Sequence, residues 1–287
     1  MRLANLAGRA VLLRDGRALD VERASEGRFG PDPMSPWQDW AAFEAWAADA
    51  DHSAAEEYDE AHLGAPVPAP RQVFAIGLNY KDHADEAGLA YPEHLVVFTK
   101  YQSSLAGPRA EVTVPGETLD YEAELVVVVG RELHRADEEE ALGAVAGYSV
   151  GQDYSERAVQ TRPPAPQFSL GKSFPAFGPF GPAVVSADEV GDPADLGIRC
   201  VIEGPTAEGR SNGDGRWTAQ DGNTRDMIFP VGRILSDLSQ VVTLYPGDLV
   251  FTGTPAGVGM PQGVALQPGD VVTTTIEGLG SLRNVMV

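Results

Sequence analysis

Three short stretches of this chain carry side chains that could act together on a substrate. The first is Leu119-Asp120-Tyr121-Glu122-Ala123-Glu124, which runs into Leu125 and four valines. On a strand, side chains alternate faces, so Asp120, Glu122 and Glu124 would share one face. Two carboxylates at about 4 Å repel by about 4 kcal/mol when the effective dielectric is about 20. The valine run predicts a buried strand, where water cannot relieve that repulsion and a hard divalent cation can. Mg²⁺ typically takes one or two carboxylates and keeps several waters. The plainer alternative is a strand with one solvated acidic face.

The second stretch is Gly151-Gln152-Asp153-Tyr154-Ser155-Glu156-Arg157-Ala158-Val159-Gln160. A strand over 146–151 is expected to end near Asp153, which could ligate a metal or cap a short helix. Arg157 and Gln160 follow at i+4 and i+7, which would put all three on one helical face. A guanidinium there could grip a substrate carboxylate through two hydrogen bonds. A cap and a surface ion pair would explain the same residues. In the third stretch, Ile76-Gly77-Leu78-Asn79-Tyr80-Lys81-Asp82-His83-Ala84-Asp85-Glu86, a strand meets a glycine turn and then a helix that Asp82 could cap. His83 and Glu86 are neighbours at i and i+3, and a carboxylate beside an imidazole suits general-base work. His-x-x-Glu also arises by chance on exposed helices.

Lysine is scarce. Only Lys81, Lys100 and Lys172 occur against 18 arginines, and all three lie near these stretches. Compositional bias is one explanation. Retention of a compact, burial-sensitive charge at chosen places is another. Two glycine-rich pieces, 171–174 and 252–259, could bring backbone N–H groups close to a ligand. Neither is a phosphate-binding loop, and there is no Gly-x-Ser-x-Gly turn. His52, His62, His94 and His134 show no ligand spacing, so a two-histidine iron site is not expected.

The elements that would position these residues divide at Ala65-Pro66-Val67-Pro68-Ala69-Pro70, a stiff extended connector. Residues 1–64 read as a small N-terminal domain. In it, Ala10–Leu13 and Ala18–Val21 flank an Asp15-Gly16 hairpin turn. Trp37, Trp40, Phe43 and Trp46 stripe a helix over 36–50 that should pack on a neighbour. Residues 70–287 change to short β-rich runs with brief helices near 82–88, 136–143, 155–160 and 226–239. This is not an alternating βαβ pattern, so the expected class is α+β, mostly β, with a mixed β-roll or barrel.

Composition narrows the function. The 287 residues carry a net charge of −21, which repels phosphate backbones and anionic lipid. No nucleic-acid or membrane partner is expected. Cys200 is the one cysteine, which excludes an internal disulfide and a cysteine zinc site. The first residues do not read as a signal peptide, and the aliphatic runs are far shorter than a membrane span. A cytoplasmic enzyme is expected.

Taken in order, seven segments resemble the fumarylacetoacetate hydrolase family: GLNYKDHADE (77–86), FTKYQSSLAGP (98–108), LDYEAELVVVVGR (119–131), GQDYSERAVQ (151–160), FSLGKSFPAFGPFGP (168–182), DGNTRDMIFP (221–230) and PGDLVFTGTPAGVG (246–259). The resemblance implies a homodimeric β-roll enzyme using Mg²⁺ or Mn²⁺ on a small 2-oxo acid. By position it implies Glu122, Glu124 and Asp153 as metal ligands and His83 with Glu86 as the catalytic pair. It implies Lys172 near the metal, and Arg157, Gln160 and Thr254 against substrate; Asp120 is not expected to be a ligand. The expected reaction is cleavage of a C–C bond in a 2,4-dioxo acid of acylpyruvate or fumarylpyruvate type. An oxaloacetate-type decarboxylase or a 2-hydroxy-dienoate isomerase would use the same enolate chemistry, and a non-catalytic β-roll binding protein is the rival from another class. Two departures stand out: the long segment 204–219, and Gln152 where many members have Asn. Both are expected near the pocket.

Overall fold

The computed structural model describes residues 1–287 except Asn212. The central strand pair is Ala123–Val129 against Val145–Gln152, antiparallel, with Glu124 opposite Gly151 and Ala123 opposite Gln152. Every residue of both strands is buried. That is why the valines run without alternation: each face of the pair meets a different apolar layer.

On one face, Leu125, Val127, Tyr148 and Val150 join a core with Ile198, Cys200, Ile202, Val272 and Leu282 of a five-stranded sheet. On the other face, Val126, Val128, Ala146 and Phe251 pack with Trp37, Trp40 and Phe43. The aromatic stripe therefore packs as expected. It splits into a 3₁₀ turn, Ser35–Gln38, and a helix, Trp40–Ala48, whose first turn Asp39 caps by accepting from the Ala42 N–H at 3.1 Å. Trp37 and Trp40 stack at 4.6 Å.

The central pair lies within a 12-stranded sheet. Outward on one side come Leu249–Phe251, the parallel strand Val73–Gly77, and the edge strand Val96–Thr99. On the other side Gly178–Ser186 is followed by the N-terminal strands. Arg9–Arg14 and Arg17–Asp20 form the hairpin around Asp15-Gly16, both in left-handed backbone. Arg2–Leu6 joins that hairpin to Gly178–Ser186, so the first 64 residues extend the large sheet. The sheets stay open at their ends. The fold is thus α+β, mostly β, and a roll; the barrel alternative is corrected.

Several local expectations shift. The helix after Pro230 begins at Val231, because a proline is well tolerated only at a helix start. The helix bearing His83 is Lys81–Glu86, with Tyr80 at its N-cap position. Asp82 does not cap it; its carboxylate accepts the neighbouring His83 N–H at 2.8 Å. No described helix is long and apolar enough to cross a membrane.

Candidate active site

The acidic stretch does not run as one strand. Leu119–Asp120 pairs with Ser155–Glu156, and the ladder resumes only at Ala123. Tyr121 and Glu122 form the break. The Glu122 N–H donates to Gln152 Oε1 at 2.9 Å, and its carbonyl accepts the Asp153 N–H at 2.9 Å. These two bonds lock the break to the end of the neighbouring strand. They carry Glu122 and Asp153 to the same place.

Asp120 turns elsewhere. It accepts the Gly259 N–H at 2.7 Å and the Met260 N–H at 3.0 Å. It also takes Arg157 through Nε at 2.9 Å and Nη2 at 2.7 Å. The one-face expectation for the three acids is corrected, while Asp120 stands apart from the cluster as the resemblance implied.

Glu122, Glu124 and Asp153 converge: each offers an oxygen within 4.8 Å of the others, and all three are buried. Lys172 Nζ lies 2.7 Å from both Glu122 and Asp153. Lys100 Nζ lies 2.5 Å from the other Asp153 oxygen. Glu124 accepts the Gly253 N–H at 2.8 Å, and among the described residues it has no ion-pair partner. Burial alone would push the Glu122 carboxyl up, but Lys172 and Arg157 outweigh it and hold it down to about 2. For Glu124, burial and then the Asp153 and Glu122 charges push the carboxyl well above the usual range. Burial pulls the Lys100 ammonium down against Asp153. The Lys172 ammonium is also opposed by burial, yet Asp153 and Glu122 raise it. This site has one carboxylate more than its cations satisfy, and all its donors are hard oxygens. It fits a divalent ion of the Mg²⁺ or Mn²⁺ type.

Arg157 does not share a helical face with Asp153. Asp153 and Tyr154 belong to neither helix nor strand, Ser155–Glu156 is a strand, and the helix covers only Arg157–Gln160. The guanidinium spans Asp120, Glu122 at 2.7 Å and Gln160 Oε1 at 2.7 Å. It is therefore spoken for by protein groups while lining the cavity. Gln160 meets Gly171 so closely that a Cβ there would sit 2.7 Å from its backbone, which fixes the approach of the Lys172 segment.

The cavity beside the cluster has a volume of about 280 Å³, and Glu122, Lys172, Arg157, Gln160, His83 and Thr254 all line it. His83 Nδ1 is buried with no hydrogen bond among the described residues and lies 3.8 Å from Glu86 Oε2. Glu86 instead accepts the Gly257 N–H at 2.9 Å, tethering its helix to the glycine-rich loop. Thr254 Oγ1 accepts from Gln220 Nε2 at 2.8 Å. The loop's N–H groups thus serve the protein's own carboxylates: Gly253 to Glu124, Gly257 to Glu86, Gly259 to Asp120. Gly253 sits at φ +96°, and a Cβ there would meet Asn79 Cβ at 2.8 Å.

Three supporting residues escaped the sequence reading of the site. Lys100 was marked only by the scarcity of lysine. Asn79 spans two segments, donating to the Phe229 and Thr252 carbonyls and accepting the Phe229 N–H at 2.8 Å. Gln220 accepts the Ala123 N–H at 2.9 Å and braces Thr254. Gln152 and residues 204–219 do not line this cavity among the described residues. Gln152 faces the five-stranded sheet, donating to Thr274 Oγ1 at 2.8 Å. Within 204–219, Asn212 lies outside the described residues, and Trp217 packs edge-on against Tyr121.

Comparison with known proteins agrees with this architecture. Residues 72–287 match the family described as fumarylacetoacetate (FAA) hydrolase C-terminal. The chain is 43% identical over 229 residues to 2,4-didehydro-3-deoxy-L-rhamnonate hydrolase of a Sphingomonas strain, covering 78% of this chain and 76% of that one. It is 40% identical over 227 residues to the human mitochondrial oxaloacetate tautomerase FAHD2A, covering 78% and 68%. Among solved structures, an HpcE-type protein of Mycobacterium smegmatis superposes with TM-score 0.91 at 47% identity over 100% of this chain and 99% of that one. Maleylpyruvate hydrolase of Sphingobium sp. SYK-6, in complex with manganese(II) and pyruvate, superposes with TM-score 0.75 at 26% identity over 100% and 99%. The chain belongs to the fumarylacetoacetate hydrolase family and is an enzyme of that superfamily, whose members include hydrolases and a tautomerase.

Proposed function

We propose that this enzyme is a hydrolase that cleaves a C–C bond in a 2,4-dioxo acid of acylpyruvate or fumarylpyruvate type. Its products would be pyruvate and a carboxylic acid. The observation that carries this reading is one cavity with two chemistries on its walls. Glu122 and Lys172, which belong to a buried cluster with Glu124 and Asp153, line it, and so does an imidazole whose Nδ1 has no protein partner among the described residues. A divalent ion, Mg²⁺ or Mn²⁺, held by Glu122, Glu124 and Asp153 would supply Lewis-acid stabilisation of negative charge on the 2-oxo-acid oxygens.

The chain's own residues account for the rest. His83, whose Nδ1 lies 3.8 Å from Glu86 Oε2, takes a proton from water. The hydroxide adds to the carbonyl at C4, and the C3–C4 bond breaks. Its electron pair passes to the pyruvate fragment as an enolate, and Lys172 donates toward the developing oxyanion. The proton held by His83 returns to C3. Arg157, Gln160 and Thr254 orient the head of the substrate. The test is product analysis with Mn²⁺ present: an acylpyruvate should yield pyruvate and the matching carboxylic acid one for one. Carbon dioxide release from oxaloacetate without acyl cleavage would reject hydrolysis. A second reading, an isomerase or tautomerase, is supported by the name of the human relative. It would use His83 to move a proton on carbon with no water added, and keto–enol conversion without cleavage would favour it.

A further inference from the structure

Beyond the carboxylate cluster the character of the cavity changes at once. Lys172 Nζ lies 5.1 Å from the centre of the Phe98 ring, and Phe98 meets Phe168 edge-on at 5.7 Å. Leu78 and Val258 continue this wall, and Leu89 and Met260, each 54% exposed, stand where it opens to solvent. Among the described residues the basic side chains lining the cavity are His83, Lys172 and Arg157. Lys172 and Arg157 are bound at the carboxylate cluster, where the 2-oxo-acid head must go. His83, assigned above to the reacting carbon, is the remaining basic group, and among the described residues no other cation lines the cavity.

We infer that the enzyme selects 2,4-dioxo acids whose acyl tail is apolar and discriminates against tails that end in a second carboxylate. This rests on the hydrolase reading for the head of the substrate and narrows its tail. A tail carboxylate drawn past Phe98 would lose its water and gain no partner, whereas a methylene there gains contact with Phe98, Phe168 and Met260.

The test pairs acids of equal length. With Mn²⁺ present, 2,4-dioxoheptanoate should exceed 2,4-dioxoheptanedioate in kcat/KM by at least about 100-fold. 2,4-Dioxononanoate should exceed 2,4-dioxoheptanoate by about tenfold for its two extra methylenes. Binding is measured separately by competition between 2-oxoheptanoate and 2-oxoheptanedioate, which lack the scissile 4-oxo group. Met260→Lys and Leu89→Lys, at exposed positions of the wall, should move both preferences toward the dioic acid by about tenfold. Equal or better cleavage and binding of the dioic acids by the unmodified enzyme would overturn the tail preference and leave the hydrolase reading standing. If 2-oxoheptanoate outbinds its dioic partner but no 2,4-dioxo acid is cleaved, the tail preference holds and the hydrolase reading falls. Failure of both 2-oxo acids to bind would overturn both.

Discussion

The cavity has a floor and a rim, and they are built differently. The floor hangs from the two central strands. Glu122, Glu124, Asp153, Lys100 and Lys172 are all buried, with Glu122 and Lys172 facing the cavity, and among the described residues ion pairs hold all of them except Glu124. The rim is the helix Lys81–Glu86, one element of six residues, fastened to the glycine-rich loop by a single Glu86 hydrogen bond. Charge that must be fixed before a substrate arrives is placed where the fold is stiffest. The group expected to exchange protons sits on a short helix with one buried residue, whose local opening should cost less than that of the fully buried central strands. Rate and stability should therefore separate between the two regions.

The sharpest test of that separation is His83→Ala. It should lower kcat by about 10²–10⁴-fold while leaving metal-induced stabilisation in place; unchanged turnover would remove His83 from the chemistry. Lys100→Met attacks the floor. Leaving the Asp153 charge short of one buried partner should cost about 3–5 kcal/mol of unfolding free energy in metal-free buffer, and denaturant titration would read it. A loss below about 1 kcal/mol, the scale of a surface ion pair, would show that the floor is not held by mutual charge. Glu124→Gln should act with opposite signs in two conditions. Without metal, the melting temperature should hold or rise, because one of three crowded carboxylates is gone. With Mn²⁺ at about 100 times its Kd, the stabilisation of about 2.7 kcal/mol expected for the unmodified protein should vanish. A variant still stabilised by Mn²⁺ as strongly as the parent would dissolve the cluster as a metal site. The smallest effect belongs to Asp39→Ala, behind the floor. Loss of the helix cap should cost about 1 kcal/mol, and kcat should stay unchanged if the rim alone governs rate.

What the sequence disclosed depended on the range of the interaction. The Asp15-Gly16 hairpin and the tryptophan stripe are local, and both were legible. The meeting of Glu122, Glu124 and Asp153 was legible through motif order, since the two stretches lie on adjacent strands. The break at Tyr121–Glu122 was not, because it depends on Gln152 and on Gln220, the latter 97 residues from the Ala123 it holds. For the same reason periodicity misplaced Asp120 and Arg157. Alternation assumes an unbroken strand and i+4 spacing an unbroken helix, and neither continues through these residues. Lys100 could not be placed, since nothing near it in sequence marks Asp153 as its partner, 53 residues on.

The shortage of lysine has a practical side. Two of the three ammonium groups are locked in the floor, and Lys81, at the start of the rim helix, is the exposed one. An amine-reactive dye meets no other accessible lysine side chain, so a fluorophore placed there would report movement two residues from His83 without any engineered cysteine.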